Sequence, residues 1–120
     1  MGYYTKYNLT VCHVDRPYMG ISPEEEQKIA QRFYETIYGH RDNYTPRHLG
    51  DVFEEEMKWY DSDSDMFTLS KEFSDYIFLL EGEGEKHDDM WCLYAHNGTL
   101  EKIHARITFD RPNDPIFMLM

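Results

Sequence analysis

Residues 76 to 109 read YIFLLEGEGEKHDDMWCLYAHNGTLEKIHARITF, and the fold turns on this stretch. It opens with the continuous apolar run Tyr76-Ile77-Phe78-Leu79-Leu80, the pattern of a strand whose first half is central and buried. The run passes into Glu81-Gly82-Glu83-Gly84-Glu85, where acids alternate with glycines and the strand heads towards solvent. Residues 90 to 96, MWCLYAH, read as the next strand. Asn97-Gly98 follows, the pair that best satisfies the two positive φ angles of a type I′ hairpin turn. Residues 100 to 109 return as a last strand, with Leu100, Lys102, His104, Arg106 and Thr108 alternating against Glu101, Ile103, Ala105, Ile107 and Phe109.

Upstream, residues 3 to 14, YYTKYNLTVCHV, alternate with a period of two and read as a first strand. Ser22-Pro23-Glu24-Glu25 supplies a cap, a proline at the first helical position and acids at the positive end of the helix dipole. Ile29, Phe33 and Ile37 recur every fourth residue, Ala30 and Tyr34 widen the stripe, and Gly39 ends it, so a helix over 23 to 38 is expected. HRDNYTPRHLG, residues 40 to 50, reads as the longest irregular connection. A short strand is expected over 57 to 60, around Met57, Trp59 and Tyr60, and a second helix over 63 to 73 behind Asp61-Ser62-Asp63-Ser64. The tail IFMLM either docks on the core or stays sticky. The expected architecture is therefore α+β and ferredoxin-like, a mostly antiparallel sheet of about five strands with two helices on one face.

At 120 residues the chain suits a single domain, spanning 1 to 120, and its 41% apolar and 16% aromatic content marks it as a folding sequence. No apolar run of about 18 residues is present and the N-terminal segment lacks the pattern of a signal peptide, so a cytoplasmic protein without membrane contact is expected. Lys6 stands where a myristoylation pattern requires Ser or Thr. Cys12 and Cys92, the two cysteines, read as reduced thiols.

The formal charge of −11 argues against direct binding to a nucleic-acid backbone. It is also unevenly placed: residues 51 to 90 carry 14 Asp and Glu against three Lys, while the remaining 80 residues carry nine of each sign. Such a block implies a one-sided negative field. Two readings stand, a merely solvated acidic face or a face that docks on a basic protein surface. On one face of an extended strand Glu81, Glu83 and Glu85 would repeat about every 6.6 Å. Two nucleotide steps along one DNA strand advance about 6.8 Å, so the ladder can imitate part of a phosphate track. Glycines at 82 and 84 equally suit a bulge or a bent strand end.

Catalytic and metal motifs are weak. Asp61, Asp63, Asp65 and Glu72 fit four positions of a calcium loop, but Met66 stands where glycine is needed, and helix capping accounts for these acids better. The six His residues form no zinc spacing, so neither metal nor cofactor is expected. His87-Asp88-Asp89 reads as a solvated turn, and Cys92 with His96 or Cys12 with His13 gives no nucleophile and base geometry. Gly82 and Gly84 sit among acids that would repel a phosphate. No catalytic residue is assigned.

Lys58-Trp59-Tyr60-Asp61, Asp65-Met66, Leu69-Ser70-Lys71, the GEGE run at 81 to 84, and Asp89, Trp91, Tyr94 and Asn97-Gly98 together resemble a group of small acidic proteins of phage and prophage genomes. The resemblance covers about residues 57 to 98 and carries no assigned reaction. It implies a phage context, in which small acidic ferredoxin-like proteins inhibit host defence complexes, some as nucleic-acid mimics. The leading expectation is thus a non-enzymatic inhibitor of a host protein with a basic surface, a CRISPR or other defence effector. Its surface would comprise Glu81, Glu83, Glu85, Asp88, Asp89, Asp61, Asp63 and Asp65, flanked by Trp59 and Tyr60. A second expectation is a small-ligand or nucleotide-binding protein with Arg41, Arg47 and His48 meeting an anion; a third is a homodimer formed through the open sheet face.

Overall fold

The computed structural model describes residues 4–39, 44–86, 89–105 and 113–119. Strand β1 (Thr5–His13) leads into helix α1 (Pro23–Tyr38), a 3-10 turn (Leu49–Asp51) and helix α2 (Ser62–Glu72). Strands β2 (Tyr76–Gly84), β3 (Met90–His96) and β4 (Thr99–His104) follow, and a 3-10 turn (Pro115–Leu119) lies near the C-terminus.

Helix α1 starts where its capping chemistry dictates. The Ser22 hydroxyl accepts the Glu25 N–H at 3.1 Å, and the Ser22 N–H donates to Glu25 Oε1 at 3.0 Å, a reciprocal capping box followed by Pro23. Gly39, at φ +79°, ends the helix in a conformation that side chains disfavour, and its N–H closes on the Glu35 carbonyl at 2.9 Å.

The sheet runs in the order β1-β2-β3-β4, and every neighbouring pair is antiparallel. Asn97 and Gly98, at φ +46° and +82°, join β3 to β4 as the sequence demands. Leu9 and Val11 from β1, Phe78 and Leu80 from β2, and Leu93 and Ala95 from β3 share one face and are buried. Against them lie Ile29, Ala30 and Phe33 of α1, Met66 and Leu69 of α2, and Val52, Met57 and Trp59 of the connecting chain. The Phe33 ring meets Phe78 at 5.7 Å and Trp59 at 6.5 Å between centroids, so α1 is keyed to the sheet centre through aromatic edges.

This differs from the expected five-stranded, ferredoxin-like plan. Residues 57 to 60 contribute one isolated bridge, Met57 to Thr5, whose two backbone hydrogen bonds measure 2.9 and 3.0 Å. Beyond the bridge the chain turns inward to bury Trp59 and then enters α2 at Ser62, leaving no length for a ladder. Both helices therefore fall between β1 and β2 instead of alternating with strands. The last strand, expected over 100 to 109, ends at His104, with Ala105 outside it; residues 106 to 109 lie outside the described residues. In the tail, Ile116 and Leu119 are exposed. Among the described residues no helix is long and apolar enough to cross a membrane.

Candidate functional site

Because both helices cover one face of the sheet, the period of two sends alternate side chains to the other face. There Glu81 faces Asn8 and Cys92, Glu83 faces Lys6 and Met90, and Leu79 faces Thr10 and Tyr94. Across β4, Glu101 lies beside Tyr94 and Ile103 beside Cys92. This face carries carboxylates and, among them, the exposed apolar side chains Met90, Tyr94 and Ile103 with half-buried Ile77, Leu79, Cys12 and Cys92.

The expected acidic residues do not form one patch. Glu81 and Glu83 are exposed on the open face, and Glu81 Oε1 accepts the Asn8 amide at 3.2 Å. Glu85, just past the end of β2, accepts the Tyr4 backbone N–H at 2.8 Å. Asp89 is half-buried and its carbonyl accepts the Gly84 N–H at 2.8 Å, whereas Asp88 lies outside the described residues. Asp61, Asp63 and Asp65 stand at the start of α2, on the helix-covered side of the sheet. Asp63 Oδ1 is 3.5 Å from Lys102 Nζ, and that ammonium also sits 4.4 Å from the Trp91 ring centre.

Helix capping is not what the α2 acids do. Asp61 makes no side-chain cap, and Asp65 Oδ2 instead accepts the Trp59 indole N–H at 2.7 Å. Burial raises the Asp65 pKa against that hydrogen bond, with the neighbouring Asp61 charge raising it further. Nor do these acids converge with Glu72, which lies roughly 14 Å from Asp63 along the helix and is bound to Arg32 at 3.0 Å. Of the two aromatics in the expected footprint, Trp59 is a core residue and Tyr60 is exposed.

Gly82 of the acidic strand has a packing role. Gly82 sits on the core face opposite Trp91, and the register runs through it without a bulge. The indole occupies the space a side chain at 82 would need.

For the expected anion site, Arg41 lies outside the described residues. The Arg47 and His48 backbone N–H groups donate to Asp51 Oδ2 at 3.3 and 3.1 Å, and His48 Nδ1 lies 3.5 Å from Glu26 Oε2. Two carboxylates already face these groups, a poor setting for an anion. A cavity of about 740 Å³ opens elsewhere, between α1 and the turn from α2 to β2, with Lys28, Arg32, Glu72, Phe73, Asp75 and Tyr76 among its walls. Arg32 is engaged there, its Nε held by both Glu72 oxygens, which raises its pKa.

One constellation has no local sequence signal. Glu25 Oε2 accepts the Tyr76 hydroxyl at 2.5 Å and lies 2.7 Å from His13 Nε2, while the His13 and Tyr76 rings meet at a tilt, 4.7 Å between centroids. The Tyr76 hydrogen bond, with the Ser22 N–H behind it, holds the Glu25 carboxyl down at about 2. Burial, reinforced by Glu25, pushes Tyr76 up to about 12. Glu25 and Tyr76, held so far from neutrality, are poorly matched to general acid–base work, and the contacts of the trio join β1, α1 and β2.

Among the described residues, no cluster of three or more His, Cys, Asp or Glu side chains could hold a metal ion. Comparison of the chain with protein-family models, curated proteins and solved structures gives no match.

Proposed function

We propose that this is a non-enzymatic phage protein that docks on a basic surface of a host protein, in the manner of an inhibitor of a CRISPR or other defence effector. The observation that carries the reading is the exposed alternation of Glu81 and Glu83 on the sheet face opposite the helices, continued by Glu85 and bordered by Met90, Tyr94 and Ile103. Charge in that arrangement steers a basic partner, and the apolar side chains beside it supply area to bury. Asp61, Asp63 and Asp65 belong to the opposite side and lie outside this footprint. A second copy of the chain fits less well, because face-to-face association would bring the same glutamates together.

The test is capture of a partner from host lysate by tagged protein at about 0.1 M salt, where screening reaches about 10 Å, and again at about 0.5 M. The partner's direct binding is then measured with the purified Glu81→Lys/Glu83→Lys variant. A basic protein held by the wild type and released by the double variant supports the reading; undiminished binding by the folded variant overturns it.

The cavity beside Arg32 and Tyr76 supports a second reading, a small-ligand protein. A rise in Tm in a small-molecule screen would favour it.

A further inference from the structure

Along β2 the open face is indented twice. The first depression, about 230 Å³, lies between Glu81 and Glu83, with Lys6, Asn8 and Met90 also on its rim and Tyr7, Gly82 and Trp91, the residues between them in the three strands, as the rest of its lining. The second, about 220 Å³, lies between Glu83 and Glu85 and is completed by Tyr4, Lys6 and Glu56. Glu83 is the shared wall. Each has room for several waters, and so for the polar end of one long side chain.

The two depressions repeat at the two-residue period of β2, about 6.6 Å. Side chains on one face of an extended partner segment repeat at the same interval. Continuing along β2, the next open-face positions are Leu79 and Ile77, with Tyr94 beside Leu79. Strands of two stacked sheets run within about 30° of each other, so a partner strand laid on this face would follow that line.

Building on the reading above, we propose that the open face receives an extended segment with lysine or arginine at positions i and i+2 and apolar residues at i+4 and i+6. The cationic ends enter the two depressions, where Glu81, Glu83, Glu85 and Glu56 outnumber the Lys6 ammonium on the shared rim. The apolar side chains cover Leu79, Ile77 and Tyr94. A pure phosphate imitation has no use for that apolar half, so association retains a salt-resistant component.

The test uses two synthetic peptides of identical composition, KTKTVTV and KKTTVVT, both acetylated and amidated, titrated into the full isotope-labelled chain by NMR at about 0.1 M salt. The alternating peptide is expected to shift the amides of Gly82, Gly84, Leu79 and Tyr94 and to bind at least about tenfold more tightly than its isomer, a difference of about 1.4 kcal/mol. Glu83→Gln should remove most of that preference, and Lys6→Gln should tighten both peptides, with amide spectra away from the face unchanged. Equal affinities, no binding, or shifts confined to other surfaces overturn the spacing inference. If the captured partner is still lost from Glu81→Lys/Glu83→Lys in that case, the docking reading survives alone. If the partner is retained, both fall.

Discussion

Gly82 lies beneath Trp91 so closely that a Cβ at position 82 would sit 2.3 Å from Cε2 and Cζ2 of the indole. Trp91 is held there by Tyr7, whose ring meets it edge-on at 6.0 Å, and by Lys102 on its face. Room for the indole therefore depends on a glycine in the acidic strand. Gly82→Ala should displace Trp91 and cost about 1–3 kcal/mol, the usual range for overpacking. Urea unfolding measures it, and Trp91 fluorescence should shift to the red as the ring moves outward. An unchanged midpoint would refute the account of this glycine.

The clamp on Glu25 predicts a pH dependence. A carboxyl held at about 2 in the folded chain, against an ordinary value of 4.5, stabilises above that ordinary value, and its contribution is lost as pH falls towards 2. Tyr76, raised to about 12 from 10, contributes fully below pH 10 and loses that contribution as pH rises through 12. Glu25→Gln should be less stable at pH 7 and show a flatter loss between pH 5 and 2. Tyr76→Phe should flatten the alkaline limb and raise the Glu25 pKa part of the way back, the Ser22 and His13 contributions remaining. Thermal unfolding across pH distinguishes the three proteins; identical profiles would remove the clamp.

Trp59→Phe keeps most of the ring in the core and deletes the donor to Asp65. A half-buried carboxylate deprived of a bond costs roughly 1–3 kcal/mol. Asp65→Asn, which can still accept from the indole, should lose less. Chemical denaturation of the pair decides, and equal losses would show that the hydrogen bond is not what matters at α2.

Gly98 holds φ +82° with the Lys71 side chain 3.0 Å from where a Cβ would stand. Gly98→Ala should lower stability by about 1–2 kcal/mol, the left-handed penalty of a side-chain residue. Asn97→Gly, at φ +46°, should be tolerated with a much smaller change. Comparable losses in the two variants would argue against a conformational origin.

The elements marked by local chemistry are those legible in the sequence. Helix α1 falls on residues 23 to 38 because Ser22, Pro23 and Gly39 act within a turn of its ends, and β3 falls on 90 to 96 because Asn97-Gly98 fixes the hairpin. What depends on distant partners was not legible. Whether Met57 and Trp59 build a strand or plug the core is decided by Thr5 and Asp65, and the single bridge at Thr5 removes the basis of the expected five-stranded plan. The continuous run at 76 to 80 conceals a split: Phe78 and Leu80 enter the core, while Ile77 and Leu79 line the open face. For the site, alternation alone placed Glu81 and Glu83 together. No local pattern could reveal that the acids of α2 face the other way, or that His13, Glu25 and Tyr76 meet from three separate elements.

The order of the strands also governs how the chain assembles. Strands β3 and β4 are joined by two residues and β2 and β3 by five, whereas 62 residues separate β1 from β2. Treated as flexible loops, closing the longest of these costs roughly 2 kcal/mol more than closing the five-residue connection. Loop-closure entropy therefore favours pairing among the three C-terminal strands over the pairing of β1 with β2. In any state in which β1 is undocked, the β2 edge beside Leu79 and Glu81 is unpaired, so the strand bearing the glutamates is the one open to misjoining with a neighbour.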